Sequence, residues 1–171
     1  MGEEEDRQVT VRSVEDAVRA LQDERAIVRT LYQYAHGLDY GPEEAFVDVF
    51  TPDGSWRRVA GRRPEQTFAG RAGLTQMYRD HVHAPEYYHK HVVANPYVDV
   101  DGDTARARSY LILVAEHPGG PYVRAFSRCS DRLVRSADGV WRVSSREAEL
   151  ESWSASDFPP APWTNSPAHA K

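Results

Sequence analysis

The sequence predicts an α+β fold in which helices from the first half of the chain pack on one face of a curved, antiparallel-rich sheet built from the second half. Two observations carry this reading. Apolar residues recur at helical spacing in the N-terminal half, whereas four long extended runs separated by turn residues fill the C-terminal half. A length of 171 residues with 40% apolar residues then gives one domain, large enough for a core with an internal pocket.

Residues 1–12 are polar and acidic and read as a mobile leader, so the folded domain is expected over 13–153. Val14, Ala17, Val18 and Leu21 start a helix, and Ile27, Val28, Leu31, Tyr32, Ala35 and Leu38 continue it after a polar stretch that predicts a break near residue 23. Gly37 is the expected stop. Proline and acids in Gly41-Pro42-Glu43-Glu44 open a short second helix, which Thr51-Pro52-Asp53-Gly54 should end. Two short strands, Trp56–Ala60 and Gln66–Ala69, flank the turn at 61–64, and Arg71–His83 carries Leu74, Met77 and Tyr78 at helical spacing up to Pro85. Strands are then expected over Tyr87–Val100, Thr104–Glu116, Tyr122–Arg135 and Val140–Glu149, joined by Asp101-Gly102-Asp103, Pro118-Gly119-Gly120-Pro121 and Ser136-Ala137-Asp138-Gly139. The tail 154–171 holds Pro159, Pro160, Pro162 and Pro167 and is expected to form no regular structure. Its aromatics Phe158 and Trp163, with Trp153 just before it, suggest packing on something, such as a neighbouring subunit.

Composition narrows the function. A formal charge of 21 − 26 = −5, with the basic residues dispersed, argues against nucleic-acid binding. The absence of a long apolar run argues against a membrane segment, and the acidic start argues against a signal peptide. A lone cysteine, Cys129, reads as a small apolar strand residue, excludes a disulfide framework and favours the cytoplasm. Glycine-rich phosphate loops and a Gly-x-Ser-x-Gly elbow are absent from the sequence.

Three segments stand out together: Tyr34-Ala35-His36-Gly37-Leu38-Asp39, His91-Val92-Val93-Ala94-Asn95 ahead of Val98-Asp99-Val100-Asp101-Gly102-Asp103-Thr104-Ala105, and Trp141-Arg142-Val143 leading to Arg146. This combination resembles the SnoaL-like branch of the nuclear transport factor 2-like superfamily over about residues 14–150. The resemblance implies a cone, a strongly curved sheet wrapped round its helices with an apolar pocket in its mouth. In motif it is nearest to lyases such as scytalone dehydratase, bile-acid 7α-dehydratase and hexachlorocyclohexane dehydrochlorinase, which carry an aspartate–histidine pair inside the cone. The matching positions are Asp39 and His91, with Tyr34 and Arg146 as further pocket residues. The resemblance also implies homodimers, formed here through the outer sheet face.

The residues themselves allow this chemistry and a plainer one. A carboxylate beyond a helix C-terminus is disfavoured by the helix dipole, so Asp39 either has a cationic or donor partner or faces water. Strand alternation places His89, His91, Val93 and Asn95 on one face, with His91 inside the cone and His89 toward its rim. An Asp39–His91 bond would make His91 a general base, and the plain alternative is a hydrogen-bonded core histidine. Tyr34 and Tyr32 point different ways, and Tyr34 or Tyr110 would donate to a substrate oxygen. Strict alternation puts Arg146 with Arg142, so either Arg142 also points inward or a bulge changes the phase. Phe50, Trp56, Tyr78, Phe126 and Trp153 are candidate pocket walls, and His89 and Asn95 candidate substrate contacts. The pairs His81/His83 and His89/His91 raise a metal site, but no acidic residue lies among them and the resembling lyases need none, so neither metal nor cofactor is expected. The function expected is a cofactor-independent lyase, a dehydratase of an apolar ring-bearing hydroxy compound. The alternatives are an isomerase or cyclase using the same base, or a non-catalytic ligand-binding or subunit protein.

Overall fold

The computed structural model describes residues 13–59, 63–84 and 86–153, so the expectations for the leader and the proline-rich tail lie outside the described residues. Helix α1 (Val14–Tyr40) starts at Ser13, whose hydroxyl accepts from the Asp16 N–H at 3.1 Å, and Glu15 and Asp16 suit the positive end of the helix. It runs through residue 23 without the expected break. Asp23 is buried and bonds the Trp141 indole N–H (3.2 Å) and Arg135 (2.7 Å), so the polar residue inside the pattern anchors the helix to the sheet. Gly37 is not the stop either: Gly41 ends the helix, its N–H donating to Gly37 and His36 carbonyls. At Gly37 a Cβ would stand 3.0 Å from Phe46 Cα, so the glycine lets α2 (Glu43–Val47) approach α1.

Strand β1 (Phe50–Arg58) includes residues 51–54, which the sequence places in a turn. Its pairing with the last strand slips between Phe50 and Ser55, and this irregularity absorbs Pro52 and Gly54. Strand β2 (Gln66–Ala69) pairs antiparallel with β1, and α3 (Gly70–Arg79) follows. Helix α3 stops short of the expected His83 because the His83 ring folds back on it, one ring nitrogen 2.9 Å from the Tyr78 carbonyl and the other 2.7 Å from that of Leu38. Strands β3 (His89–Asp101), β4 (Thr104–Ala115), β5 (Tyr122–Arg135) and β6 (Trp141–Trp153) complete a sheet of order β2-β1-β6-β5-β4-β3, antiparallel except for β1 against β6. Register shifts in β3–β4, β4–β5 and β5–β6 bend the strands, and the curved sheet wraps its inner face around α1. The core between them holds Ile27, Leu31, Leu38, Leu133 and Val143, with Tyr34, Phe46 and Phe50 packed ring on ring at 5.5–6.1 Å. None of the described helices is long and apolar enough to cross a membrane.

The anchor at Asp23 is testable. Asp23→Ala leaves the buried Trp141 N–H without this acceptor and should lower unfolding stability by about 1–3 kcal/mol in urea titrations. The Arg135 hydrogen bond outweighs desolvation and holds the Asp23 carboxyl below its ordinary value. Its folded pKa therefore lies below the unfolded one, and the stabilisation is present above about pH 4 and fades as the pH falls further. A variant as stable as the parent would refute the anchor.

Candidate active site

Asp39 sits in the last turn of α1 and is buried against the start of β3. One carboxylate oxygen, Oδ2, accepts the His91 backbone N–H at 2.8 Å, and Oδ1 accepts from His91 Nδ1 at 2.6 Å. His89 Nε2 lies 3.3 Å from Oδ1. Burial alone would raise the Asp39 pKa. The hydrogen bonds from a protonated His89 and from His91, the His91 charge and the His91 backbone N–H outweigh it and hold the carboxyl well below the usual range. With Nδ1 donating to the carboxylate, neutral His91 keeps its lone pair on Nε2, the form a general base needs.

Around this pair the structure corrects several expectations. His89 is not at the rim but buried, because the loop preceding β3 closes over it: its Nδ1 donates to the Tyr87 carbonyl (2.9 Å) and its ring stacks on Tyr87. The same loop brings in His81, which sequence reasoning did not place at the site, with Nε2 3.1 Å from His89 Nε2. Burial, reinforced by the charges of His91, His89 and His83, pushes the His81 pKa down to about 3. One ligand-type atom from each of Asp39, His81, His89 and His91 lies within 4.8 Å of the others. The paired spacing of the histidines was visible in the sequence, but their convergence on Asp39 depends on the chain folding back over α1.

A second buried group lies deeper in the cone. Arg146 bonds Asp131 through two nitrogens, at 2.6 and 3.0 Å, and its guanidinium sits 4.0 Å from the Tyr34 ring centre. Ser145 pairs with Arg132 and Val143 with Leu133, so Ser144 is the extra residue of a bulge that turns Arg146 inward. Arg142 is left outside, bonding Asp138. Of the two tyrosines, Tyr34 is buried and Tyr32 exposed. Burial pushes the Tyr34 phenol up to about 12, an effect that the nearby Arg146 charge only partly offsets, so Tyr34 stays a hydrogen-bond donor. Trp56 Nε1 and Arg146 Nη1 are buried without hydrogen-bond partners among the described residues. Asp131 was missed, because alternation counted without the bulge separates it from Arg146.

The expected walls divide. Phe50 packs on Tyr34, and Tyr78 is committed to the fold through its hydroxyl, which donates to the Gly41 carbonyl at 2.6 Å. Trp153 is half-buried between the guanidiniums of Arg63 and Arg124, at 4.3 and 4.4 Å. Tyr110 (49% exposed) and Phe126 (44%) point away from the core: the neighbours Ser109 and Ala125 take the inward positions. Asn95 is exposed too, because φ of 49° in the β3 bulge breaks the alternation that put it beside His91. Two concavities, of about 480 and 380 Å³, lie elsewhere: one is lined by Arg106, Arg108 and Glu147, the other by residues of α1 and β6, and neither by Asp39 or His91. The histidine cluster meets solvent through the partly exposed His81 and His91.

Residues 19–147 match the SnoaL-like domain model. The chain belongs to the SnoaL-like family. This SnoaL-like protein is similar to an NTF2-like protein with a cystatin-like fold from Novosphingobium aromaticivorans, at 25% identity over 85% of this chain and 94% of that one (TM-score 0.72). It also shares the fold of a protein of unknown function from Mycobacterium tuberculosis, at 21% identity, covering 90% and 86% of the two chains (TM-score 0.70). A Catenulispora acidiphila protein solved in complex with S-DNPA is 25% identical, with 79% and 95% covered and a TM-score of 0.60. No curated protein matches the SnoaL-like chain.

Proposed function

We propose that this SnoaL-like protein is a general-base enzyme acting on a small organic molecule, and that its reaction is a lyase-type loss of water from an apolar, ring-bearing hydroxy compound. The observation that carries the reading is the 2.6 Å bond from His91 Nδ1 to the buried Asp39, which leaves Nε2 of a partly exposed ring as the base. His91 takes a proton beside a carbonyl while Asp39 steadies the imidazolium. The donors within the cone that would serve the developing oxyanion are the Tyr34 hydroxyl and the unpartnered nitrogens of Trp56 and Arg146. The proton then passes to the departing hydroxyl, which leaves as water. The S-DNPA bound to the Catenulispora acidiphila relative supports a small-molecule ligand. Incubation with hydroxy-carbonyl compounds, followed by mass spectrometry, should show loss of water that His91→Ala abolishes. An isomerase or cyclase would appear as a different product, and turnover unaffected by His91→Ala would refute the base.

A second observation favours a homodimer. Val92, Ile112 and Phe126 are aligned across β3, β4 and β5 on the outer sheet face, beside Ala94 and Tyr110, and Val92, Tyr110 and Phe126 are exposed. The parent is expected to elute as a dimer in light-scattering chromatography and Phe126→Arg as a monomer. A parent that is already monomeric would overturn this.

A further inference from the structure

Three atoms at the base of the histidine cluster cannot all be satisfied by the protons available to neutral rings. His89 Nδ1 faces the Tyr87 carbonyl, an acceptor, so it carries the hydrogen and His89 Nε2 presents a lone pair inward. That lone pair points at Asp39 Oδ1, 3.3 Å away, and at His81 Nε2, 3.1 Å away. A proton on His81 Nε2 fills the second contact but leaves nitrogen and carboxylate lone pairs opposed in the first. A cation between the three satisfies all of them.

We propose that His81, His89 and Asp39 form a binding site for a divalent transition-metal ion such as Zn(II), with His91 orienting the carboxylate. Metal–nitrogen bonds of about 2.0–2.1 Å around a tetrahedral ion put neighbouring ligand atoms about 3.3 Å apart, close to the two spacings above. Two imidazoles and one carboxylate are borderline ligands that suit zinc or iron(II) better than calcium or magnesium, and they leave a coordination position open. The outer shell is also present. His89 donates its other ring nitrogen to a backbone carbonyl, and Asp39 is held by the backbone and side chain of His91, the supports that fix ligand orientation at metal centres. Loop closure brings His81 into range: His83 is held by the Leu38 and Tyr78 carbonyls, and the Ala84 N–H donates to the Asp39 carbonyl at 3.1 Å. The partly exposed His81 and His91 give an ion its way in.

The site shares Asp39 with the proposed base but does not rest on that reading. Metal binding is measured without substrate, and the base is tested by turnover of chelator-treated protein, so the two fail separately. Calorimetric titration of chelator-treated, full-length protein with zinc chloride should give one equivalent per chain with micromolar or tighter affinity. Changes to outer-shell partners alone weaken metal binding by about 10–100-fold, so His81→Ala and His89→Gln, which remove ligands, should each weaken it by about 100-fold or more. His36→Ala, at an exposed position of α1, should bind as the parent does. Cobalt(II) should give the visible bands of a four- or five-coordinate ion in the parent and lose them in His81→Gln, which keeps a side chain of similar size should His81→Ala fail to fold. The proposal is overturned if the parent binds no zinc in this range, or if folded His81→Gln and His89→Gln bind it as the parent does, since the ion would then sit elsewhere.

Discussion

Asp39→Asn is expected to lower turnover by about 10²–10⁴-fold while the protein remains folded. The size of the effect follows from which groups the carboxylate faces. Oδ2 accepts a backbone N–H that cannot change its role, so the amide oxygen of an asparagine is committed there. Its NH₂ then faces His91 Nδ1, where the carboxylate now accepts a hydrogen. Two donors cannot share that contact, so the imidazole proton moves to Nε2 and the base loses its lone pair. The same tautomer error underlies the loss of activity when the aspartate of a serine-protease triad becomes asparagine. Weakening the charge-assisted bonds should also remove about 1–3 kcal/mol of stability. Nitrogen chemical shifts of His91 would show the proton on Nδ1 in the parent and on Nε2 in the variant. Turnover within a few-fold of the parent would exclude Asp39 from the reaction.

How much of this was legible in the sequence depends on how local each signal is. The boundaries of β3–β6 fall close to expectation because the turns between them are written in a few residues, with Gly102 and Gly139 at positive φ where side chains are strained. Asp39 and His91 came from resemblance, since neither residue alone distinguishes a buried pair from a loop aspartate and a core histidine. Other features failed for one shared reason. Asp23, Gly37 and His81 owe their roles to partners in other elements that only the packing of the fold brings near: Trp141 for the first, Phe46 for the second, and the Asp39 carboxylate with His89 for the third. Alternation failed at Asn95, where a bulge supplies an extra residue, and for Arg146 it left open a choice that the bulge at Ser144 decides. A period-2 count has no means of locating such an insertion.

Asp131→Ala is expected to destabilise the protein by about 3–5 kcal/mol, because it strands a buried guanidinium. Arg146 is 1% exposed and, among the described residues, its side-chain hydrogen bonds both go to Asp131; desolvation works against its charge, and the carboxylate overcomes that and holds the pKa above the ordinary arginine value. Such a loss is a large part of the 5–15 kcal/mol typical of a domain, and at this size it should lower Tm by roughly 6–20 °C. The pair need not be there for stability, however. Replacing both partners with apolar groups removes the desolvation problem together with the attraction, so Asp131→Ala combined with Arg146→Met should recover most of the loss. A double-mutant cycle in urea measures that coupling. The cycle also separates packing from chemistry. If Arg146 Nη1 is held inward to meet a developing oxyanion, the stable double variant will fold and still turn over substrate poorly, with the deficit in kcat. If the double variant works as well as the parent, the ion pair is a structural strut and Tyr34 and Trp56 alone supply the donors. A cost below about 1 kcal/mol for Asp131→Ala alone would mean that the guanidinium reaches water or another acceptor, and would refute the buried pair itself.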